Sequence, residues 1–169
     1  MQETYKKIAE GIKILNKEIN PNDIIIPIGL DGAVIYHILV NYYDKTDKSY
    51  IDFIENTCDI SSKKKTDTLK FKNILTKNKE KTIYALDLRT VTGKLGEKLN
   101  QMAYGSSFKY AVLFDSTVNA DLKAFTTKLS DKERIIWLSK KAYESLDLEK
   151  ITHRYIEEIP AVIEIKKYI

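Results

Sequence analysis

Apolar residues recur along this chain with two periods, and each period predicts a different element. Tyr5, Ile8, Ile12 and Leu15 are three or four residues apart with charged residues between them, which predicts an amphipathic helix over residues 3–18. Short apolar runs, typical of strands that are covered on both faces, are the second pattern. They predict strands at 24–28, 49–54, 83–86, 110–114 and 135–138, with a further short one at 161–165.

Helical patterns separate these strands along the chain. They predict helices at 33–43, 94–102, 120–129 and 146–159, and Pro160 is expected to stop the last of them. Strands that alternate with helices indicate an α/β fold with a doubly wound, mostly parallel five-stranded sheet flanked by helices. A length of 169 residues favours a single domain over residues 1–169.

Composition and charge narrow the class of protein. No apolar run approaches the roughly 20 residues that cross a bilayer, no secretory signal is evident, and Cys58 is the only cysteine, so we expect a cytoplasmic protein without membrane contact. The net charge of +4 is uneven, because residues 59–81 contain eight lysines against three acidic residues, a local excess of +5.

The lysine-rich segment at 59–81 has three interpretations. It is a solvated, flexible loop, or a flexible cover that brings lysines to a polyanionic ligand, or a surface that follows nucleic-acid phosphates. Phe71 is its only aromatic residue, so a stacking platform is not expected there, and nucleic acid is an unlikely partner.

The richest candidate for chemistry lies after the apolar run 83–86. The run ends in Asp87, a short polar loop follows, and Thr92-Gly93-Lys94 opens the helix predicted at 94–102. The carboxyl edge of a parallel sheet and the start of a helix are the two places where an α/β protein binds phosphate. The predicted phosphate-binding residues are Arg89, Thr90, Val91, Thr92, Gly93 and Lys94. Asp87 is a carboxylate that can accept hydrogen bonds from two ribose hydroxyls.

These residues resemble the phosphoribosyl-pyrophosphate-binding motif of type I phosphoribosyltransferases. In that family an apolar strand ends in two adjacent acids, and a Thr-Gly a few residues later begins the loop around a 5′-phosphate. Asp87 matches the first acid, and Thr92-Gly93 matches the Thr-Gly. The turn at 29–32 resembles the family's pyrophosphate loop, which adds Leu30, Asp31 and Gly32 to the predicted substrate-binding residues. The lysine-rich segment resembles the family's mobile loop.

The resemblance implies a phosphorylated sugar or nucleotide as ligand, transfer of phosphoribosyl to a nucleobase, Mg²⁺ as the cofactor of that reaction, and a homodimer as one form of assembly. Trp137 and Tyr143 are the candidate residues for contact with the nucleobase. Three features depart from the family: Leu88 replaces the second acid, Leu95 replaces a hydroxyl residue, and Asp31 places a carboxylate in the pyrophosphate turn.

Because of these departures from the family, two other functions remain open. The fold can be a non-catalytic nucleotide- or phosphate-binding module, with Leu88 marking lost chemistry. A methyltransferase-like protein, with Asp87 on a cofactor ribose, is less favoured because no Gly-x-Gly turn follows the first strand.

Of three further polar residues, two are better explained by structure than by catalysis, and for the third both explanations stay open. Asp31 is expected to cap a helix that starts at Gly32, and His37 is expected to pack in the core. Asp115 ends a strand at the same edge as Asp87, so it is equally a site residue and a turn residue. No metal-ligand cluster is evident from residue spacing.

Overall fold

A computed structural model describes residues 2–43, 65–90, 92–133, 157 and 159–169. This part of the chain contains five helices longer than one turn and four strands. In chain order they are α1 (Gln2–Glu18), β1 (Ile24–Pro27), α2 (Gly29–Tyr42), α3 (Lys65–Lys77), β2 (Ile83–Thr90), α4 (Lys94–Met102), β3 (Phe108–Asp115), β4 (Leu122–Phe125) and α5 (Pro160–Lys166).

The four strands form one parallel sheet in the order β1-β2-β3-β4, with helices packed against it. Pro27, at the end of β1, is level with Leu86, so β2 extends past β1 as far as Thr90. Thr90 is in turn level with Asp115, the last residue of β3. Because the strands are parallel, the segments that follow β1, β2 and β3 all leave the sheet at its carboxyl edge.

Side chains of β2 alternate between two hydrophobic cores. Tyr84, Leu86 and Leu88 belong to the core that includes residues of α1, α2 and α5. Ile83 and Ala85 belong to the core that includes residues of α3 and α4. This alternation is the two-residue period of a strand that is covered on both faces. It confirms an α/β fold in which helices cover a parallel sheet.

The helix predicted at 120–129 is wrong, because residues 122–125 form β4. Parallel neighbours are usually joined by a dozen or more residues, often a helix, whereas only residues 116–121 join β3 to β4. The short link suffices because β4 begins level with Ala111, four residues before the end of β3. Six extended residues span up to about 20 Å, more than the roughly 13 Å that the chain must run back.

The strand predicted at 161–165 is also wrong, since these residues belong to α5. Pro160 begins this helix, where its fixed φ suits the first turn and its missing N–H costs nothing. Ala161, Val162 and Ile165 are buried while Ile163 is exposed, which is a helical spacing.

The lysine-rich segment is not a loop throughout, because its residues 65–77 form α3. Phe71 and Leu75 lie one turn apart and are buried in the second core, and this anchorage makes the segment helical. The strand predicted at 49–54 and the strand at 135–138 lie outside the described residues, as does nearly all of the helix at 146–159. No helix in the described part of the chain has both the length and the apolar character needed to cross a membrane.

Candidate functional site at the carboxyl edge

Two helices begin at the carboxyl edge of neighbouring strands. α2 follows β1 with Ile28 as its N-cap, and α4 follows β2 with Gly93 as its N-cap. Neither of these N-cap residues makes a side-chain hydrogen bond to the first turn of its helix. The nearest substitute is the Thr92 hydroxyl, which accepts a long 3.4 Å bond from the Lys94 N–H.

The two helices leave the sheet on opposite faces. Residues 33–40 of α2 contribute to the first core, whereas Leu99 and Ala103, at the end of α4, lie in the second. Loops that diverge to opposite faces of a parallel sheet leave a crevice between them, and open α/β proteins bind ligands in such a crevice. The residues predicted from the two motifs therefore flank one crevice.

Gly32 explains why the turn after β1 lies so close to β2. A Cβ added at Gly32 would approach the Leu86 carbonyl oxygen to 2.3 Å, a contact that no side chain can make. The same carbonyl accepts a 2.9 Å hydrogen bond from the Ile28 N–H. Glycine at position 32 is therefore required by packing of the α2 start against β2.

Gly93 brings a third segment to the edge. Its φ of +76° favours glycine, and an added Cβ would lie 2.7 Å from Asn119 Nδ2 and 3.7 Å from Thr117 Oγ1. The link between β3 and β4 therefore lies directly against the Thr92–Lys94 loop. The sequence analysis did not single out Asn119, because nothing local to its sequence shows that it meets Gly93.

Asp87 lies in the second half of β2 and is half-buried. Its Oδ1 accepts the Leu88 N–H at 2.7 Å, and its Oδ2 accepts a long 3.4 Å bond from the Tyr110 hydroxyl. Burial, and then the nearby Asp87 charge, raise the pKa of Tyr110 far above its usual range. The phenol therefore stays protonated and donates to Asp87, a role that the apolar run around Tyr110 did not indicate.

Leu88 and Leu95, two of the departures from the family, are core residues. Leu88 is 0% exposed in the first core, on the face of β2 opposite to that of Ala85. Leu95 packs, partly buried, against the second core. A strand turns successive side chains to opposite faces, so an acid at position 88 would enter the core that surrounds α2.

Arg89 and Thr90 belong to β2, which continues four residues beyond the predicted strand. The Arg89 guanidinium donates to the Leu129 carbonyl at 2.8 Å and to Asp131 at 2.6 Å, so it holds the segment after β4. Thr90 Oγ1 is buried without a hydrogen bond of ordinary geometry, although it lies near enough to Tyr110 to oppose the rise of its pKa. These two residues end β2 and precede the Thr92–Lys94 loop.

Asp115 stabilises the link between β3 and β4. It is fully buried, and its two oxygens accept bonds from the Thr117 N–H at 2.9 Å, the Thr117 hydroxyl at 2.6 Å and the Ala120 N–H at 2.7 Å. Lys123 Nζ lies 3.7 Å away. Burial alone would raise the pKa of Asp115, but these bonds lower it below its usual value. Of the two roles predicted for Asp115, this geometry favours that of a turn residue.

Asp31 is buried in the first turn of α2, where the helix dipole favours a carboxylate. The prediction that Asp31 is the N-cap is wrong, because α2 begins at Gly29 instead of Gly32 and Ile28 is the cap. Gly29 has a φ of +62° with open space around it, so the turn remains accessible from the edge. Leu30 belongs to the same turn, but its side chain is not described.

His37 is a buried residue, as predicted, and it is part of a polar cluster away from the edge. Its Nε2 lies 2.5 Å from Glu157 Oε1, and its Nδ1 lies 3.2 Å from the Asn41 amide nitrogen. Glu157 also accepts from Tyr42 at 2.9 Å and from Lys166. Burial would raise the pKa of Glu157, but the bonds from Lys166, His37 and Tyr42 lower it to about 2. This cluster joins α2 to α5.

Some predicted residues cannot be placed. Val91, Trp137 and Tyr143 lie outside the described residues. Within the described part of the chain, no three His, Cys, Asp or Glu side chains come together as metal ligands. A Mg²⁺ ion at the edge would therefore rely on Asp87 together with phosphate oxygens of a substrate, which is a usual mode of binding for this ion.

No protein-family model, no curated protein and no solved structure matches this chain. The functional argument therefore rests on the residues and geometry of the carboxyl edge.

Proposed function

We propose that this chain is a phosphoribosyltransferase-like protein that binds phosphoribosyl pyrophosphate or a nucleoside 5′-phosphate at the carboxyl edge. The single observation that carries the proposal is the pair of helix starts without side-chain caps, after β1 and β2, on opposite faces of the sheet. In this proposal the complete sheet has five strands and is doubly wound, with the phosphoribosyltransferase arrangement.

Phosphoribosyl pyrophosphate carries anionic groups at two positions of one ribose, so it needs two groups of donors. The N–H groups at the start of α4, with Thr92 and Lys94, would hold the 5′-phosphate. The turn at 29–32 would face the pyrophosphate. Strands β1 and β2 are neighbours, about 4.8 Å apart, so both groups of donors are within reach of one small ligand.

Asp87 supplies the acceptor between these two phosphate sites. The Tyr110 hydroxyl donates to Oδ2 and the Leu88 N–H donates to Oδ1, and these bonds restrict the orientation of the carboxylate. A carboxylate held in this way can accept from ribose hydroxyls with little further loss of side-chain entropy.

A non-catalytic binding module is the second candidate, and the burial of Leu88 favours it. The second acid of the family has no counterpart at the edge, because position 88 faces the first core. Only Asp87 then acts on the ribose and on any Mg²⁺ ion. Transfer of the phosphoribosyl group would need Mg²⁺ to neutralise the departing pyrophosphate.

Isothermal titration calorimetry with phosphoribosyl pyrophosphate and Mg²⁺ tests binding. We expect a dissociation constant in the micromolar range and a loss of about tenfold or more in Lys94→Gln, since one charged phosphate contact is removed. Lys81→Gln is the matched control, because Lys81 is an exposed lysine just before the amino end of β2, whereas Lys94 follows the carboxyl end. No binding at millimolar ligand would refute the proposal.

Release of pyrophosphate in the presence of purine or pyrimidine bases separates the two candidates. Turnover that depends on a base and on Mg²⁺ identifies a transferase. Binding without turnover, with nucleoside 5′-phosphates competing for the same site, identifies a binding module.

A further inference from the structure

The amino edge of the sheet, at the opposite end of β2, carries a cluster of exposed lysines. Residues 69–82 contain five lysines and one glutamate, a net charge of +4. Lys72, Lys77, Lys79 and Lys81 are exposed, and none of these four lysines pairs with a carboxylate of a described residue. Positive charge at this density, without neutralising partners, attracts a polyanion.

Tyr104 is an aromatic residue presented to solvent at the same edge. It is 96% exposed and occupies a corner of the turn 103–106, which is closed by a 2.9 Å bond from the Ser106 N–H to the Ala103 carbonyl. Gly105 follows with a φ of +84°, as the third position of a type II turn requires. The turn therefore projects the phenol ring away from the core.

Strand pairing and ring packing place the lysines and Tyr104 at the same edge of the sheet. The Ile83 N–H donates to the Ser107 carbonyl at 2.8 Å, so the turn that carries Lys79 and Lys81 lies beside the segment that follows Tyr104. Phe71 of α3 packs edge-on against Phe108 at 5.7 Å, which places α3 over the start of β3. We call Lys72, Lys77, Lys79, Lys81 and Tyr104 the amino-edge patch.

We infer that the amino-edge patch binds single-stranded nucleic acid, with the lysines on the phosphates and Tyr104 stacked on an unpaired base. The inference rests on charge complementarity and on the exposed ring, which is the combination that single strands require. A duplex keeps its bases stacked and offers Tyr104 no partner. This inference differs from the expectation drawn from the sequence, because the aromatic residue of the patch comes from a different part of the chain than its lysines.

The patch is separate from the proposed phosphate site. β2 has eight residues, so its first and last residues are about 23 Å apart. A nucleic acid at the amino edge would leave the carboxyl edge open, and loss of one function would not remove the other.

Fluorescence anisotropy with a labelled 12-nucleotide single strand, and with a duplex of the same length, tests the inference on the full chain. Four phosphate contacts predict a slope of about −2.8 for log affinity against log salt, or about a 50-fold loss between 50 and 200 mM salt. Lys79→Gln/Lys81→Gln should halve the slope, and Tyr104→Ala should weaken binding about fivefold or more.

Lys128→Gln/Lys132→Gln is the matched control, because both lysines are exposed and follow the carboxyl end of β4. The inference is supported if this variant binds like the wild type and the amino-edge variants do not. It is overturned if the control loses as much affinity as the amino-edge variant, if the duplex binds as tightly as the single strand, or if the chain binds vesicles of anionic lipid but no oligonucleotide.

Discussion

Two aspartates in the carboxyl halves of neighbouring strands differ in how their carboxylates are bonded. Asp115 is fully buried, and both of its oxygens are used by the link to β4. Asp87 is half-buried, with its strongest bond to the N–H of the next residue and a long bond from Tyr110. One carboxylate stabilises its own loop, whereas the other remains at the crevice between two helix starts.

The difference teaches that an acid at the end of a strand does not by itself define a site. The loop after Asp115 curls back over the carboxylate and brings two N–H groups to it, so the charge is satisfied inside the protein. The backbone after Asp87 continues as strand to Thr90 and then begins α4 at Lys94, so it does not curl back over the carboxylate. The path of the backbone that follows such an acid therefore decides whether the carboxylate is used within the fold or is left to bind a ligand.

Of the substitutions that test this comparison, Leu88→Asp should have the largest effect on stability. An uncompensated carboxylate would enter the first core, and we expect the free energy of unfolding to fall by about 4 kcal/mol or more. Urea denaturation followed by circular dichroism measures the change. Leu88→Met is the control, with an expected loss below about 1.5 kcal/mol. A stable Leu88→Asp protein with tighter ligand binding would show that position 88 faces the site.

Asp115→Asn should lower the free energy of unfolding by about 2–3 kcal/mol, because one of the two N–H groups would face an amide nitrogen in place of an oxygen. The lowered pKa of Asp115 means that its contribution is present above the unfolded pKa and is lost as pH falls through the folded pKa. Wild type and variant should therefore converge in stability as pH falls through the folded pKa of Asp115. Equal stability at pH 7 would contradict a structural role.

Asp87→Asn should change the free energy of unfolding by less than about 1 kcal/mol, since the amide oxygen can still accept the local Leu88 N–H bond and the bond from Tyr110 is long. Affinity for phosphoribosyl pyrophosphate should fall about tenfold or more, because an amide offers one acceptor where the ribose needs two. Denaturation and calorimetry on the same preparation give both values. A large loss of stability with unchanged affinity would reverse the roles assigned to the two aspartates.

Glu157→Gln should have the smallest effect and gives a reference away from the edge. The pKa of Glu157, about 2, lies below its unfolded value, so its contribution is present above about pH 4 and is lost as pH falls through about 2. The side chain is 35% exposed, so solvent screening limits the loss at pH 7 to about 1 kcal/mol.

Glu164→Gln is the control for this substitution, because Glu164 pairs with exposed Lys167 one helical turn away. Its stability should stay within about 0.5 kcal/mol of wild type. Thermal denaturation at pH 7 and at pH 3 compares the two variants. A stability difference between wild type and Glu157→Gln that grows as pH falls would contradict the lowered pKa of Glu157.

The sequence was sufficient to predict a secondary-structure element where the period of its apolar residues matches the burial found in the structure. The runs at 24–28, 83–86 and 110–114 became β1, β2 and β3, and the helix at 94–102 was predicted with its start at Lys94. It was insufficient where tertiary contacts decide. A strand at 122–125 depends on the register with Ala111, and the start of α2 depends on the contact of Gly32 with Leu86.

The candidate site follows the same division. Asp87 and the Thr92–Lys94 loop were found from local pattern, because a strand, an acid and a Gly-containing helix start are adjacent in sequence. Tyr110 and Asn119 were not found, since their roles arise only from the pairing of β3 with β2 and from the short link to β4. For Leu88, which stands where the family has its second acid, the structure was needed to show which face of β2 it occupies.

The short link between β3 and β4 has a consequence for how the chain folds. Of the described strand pairs, this one closes the smallest loop, residues 116–121, whereas β1 and β2 are separated by more than fifty residues. Loop closure costs least entropy for the short separation, so β3 and β4 are expected to associate first and to offer a template on which β2 and then β1 add. The sheet would then assemble in the reverse of chain order, and β1 would complete the carboxyl-edge crevice only at the last step.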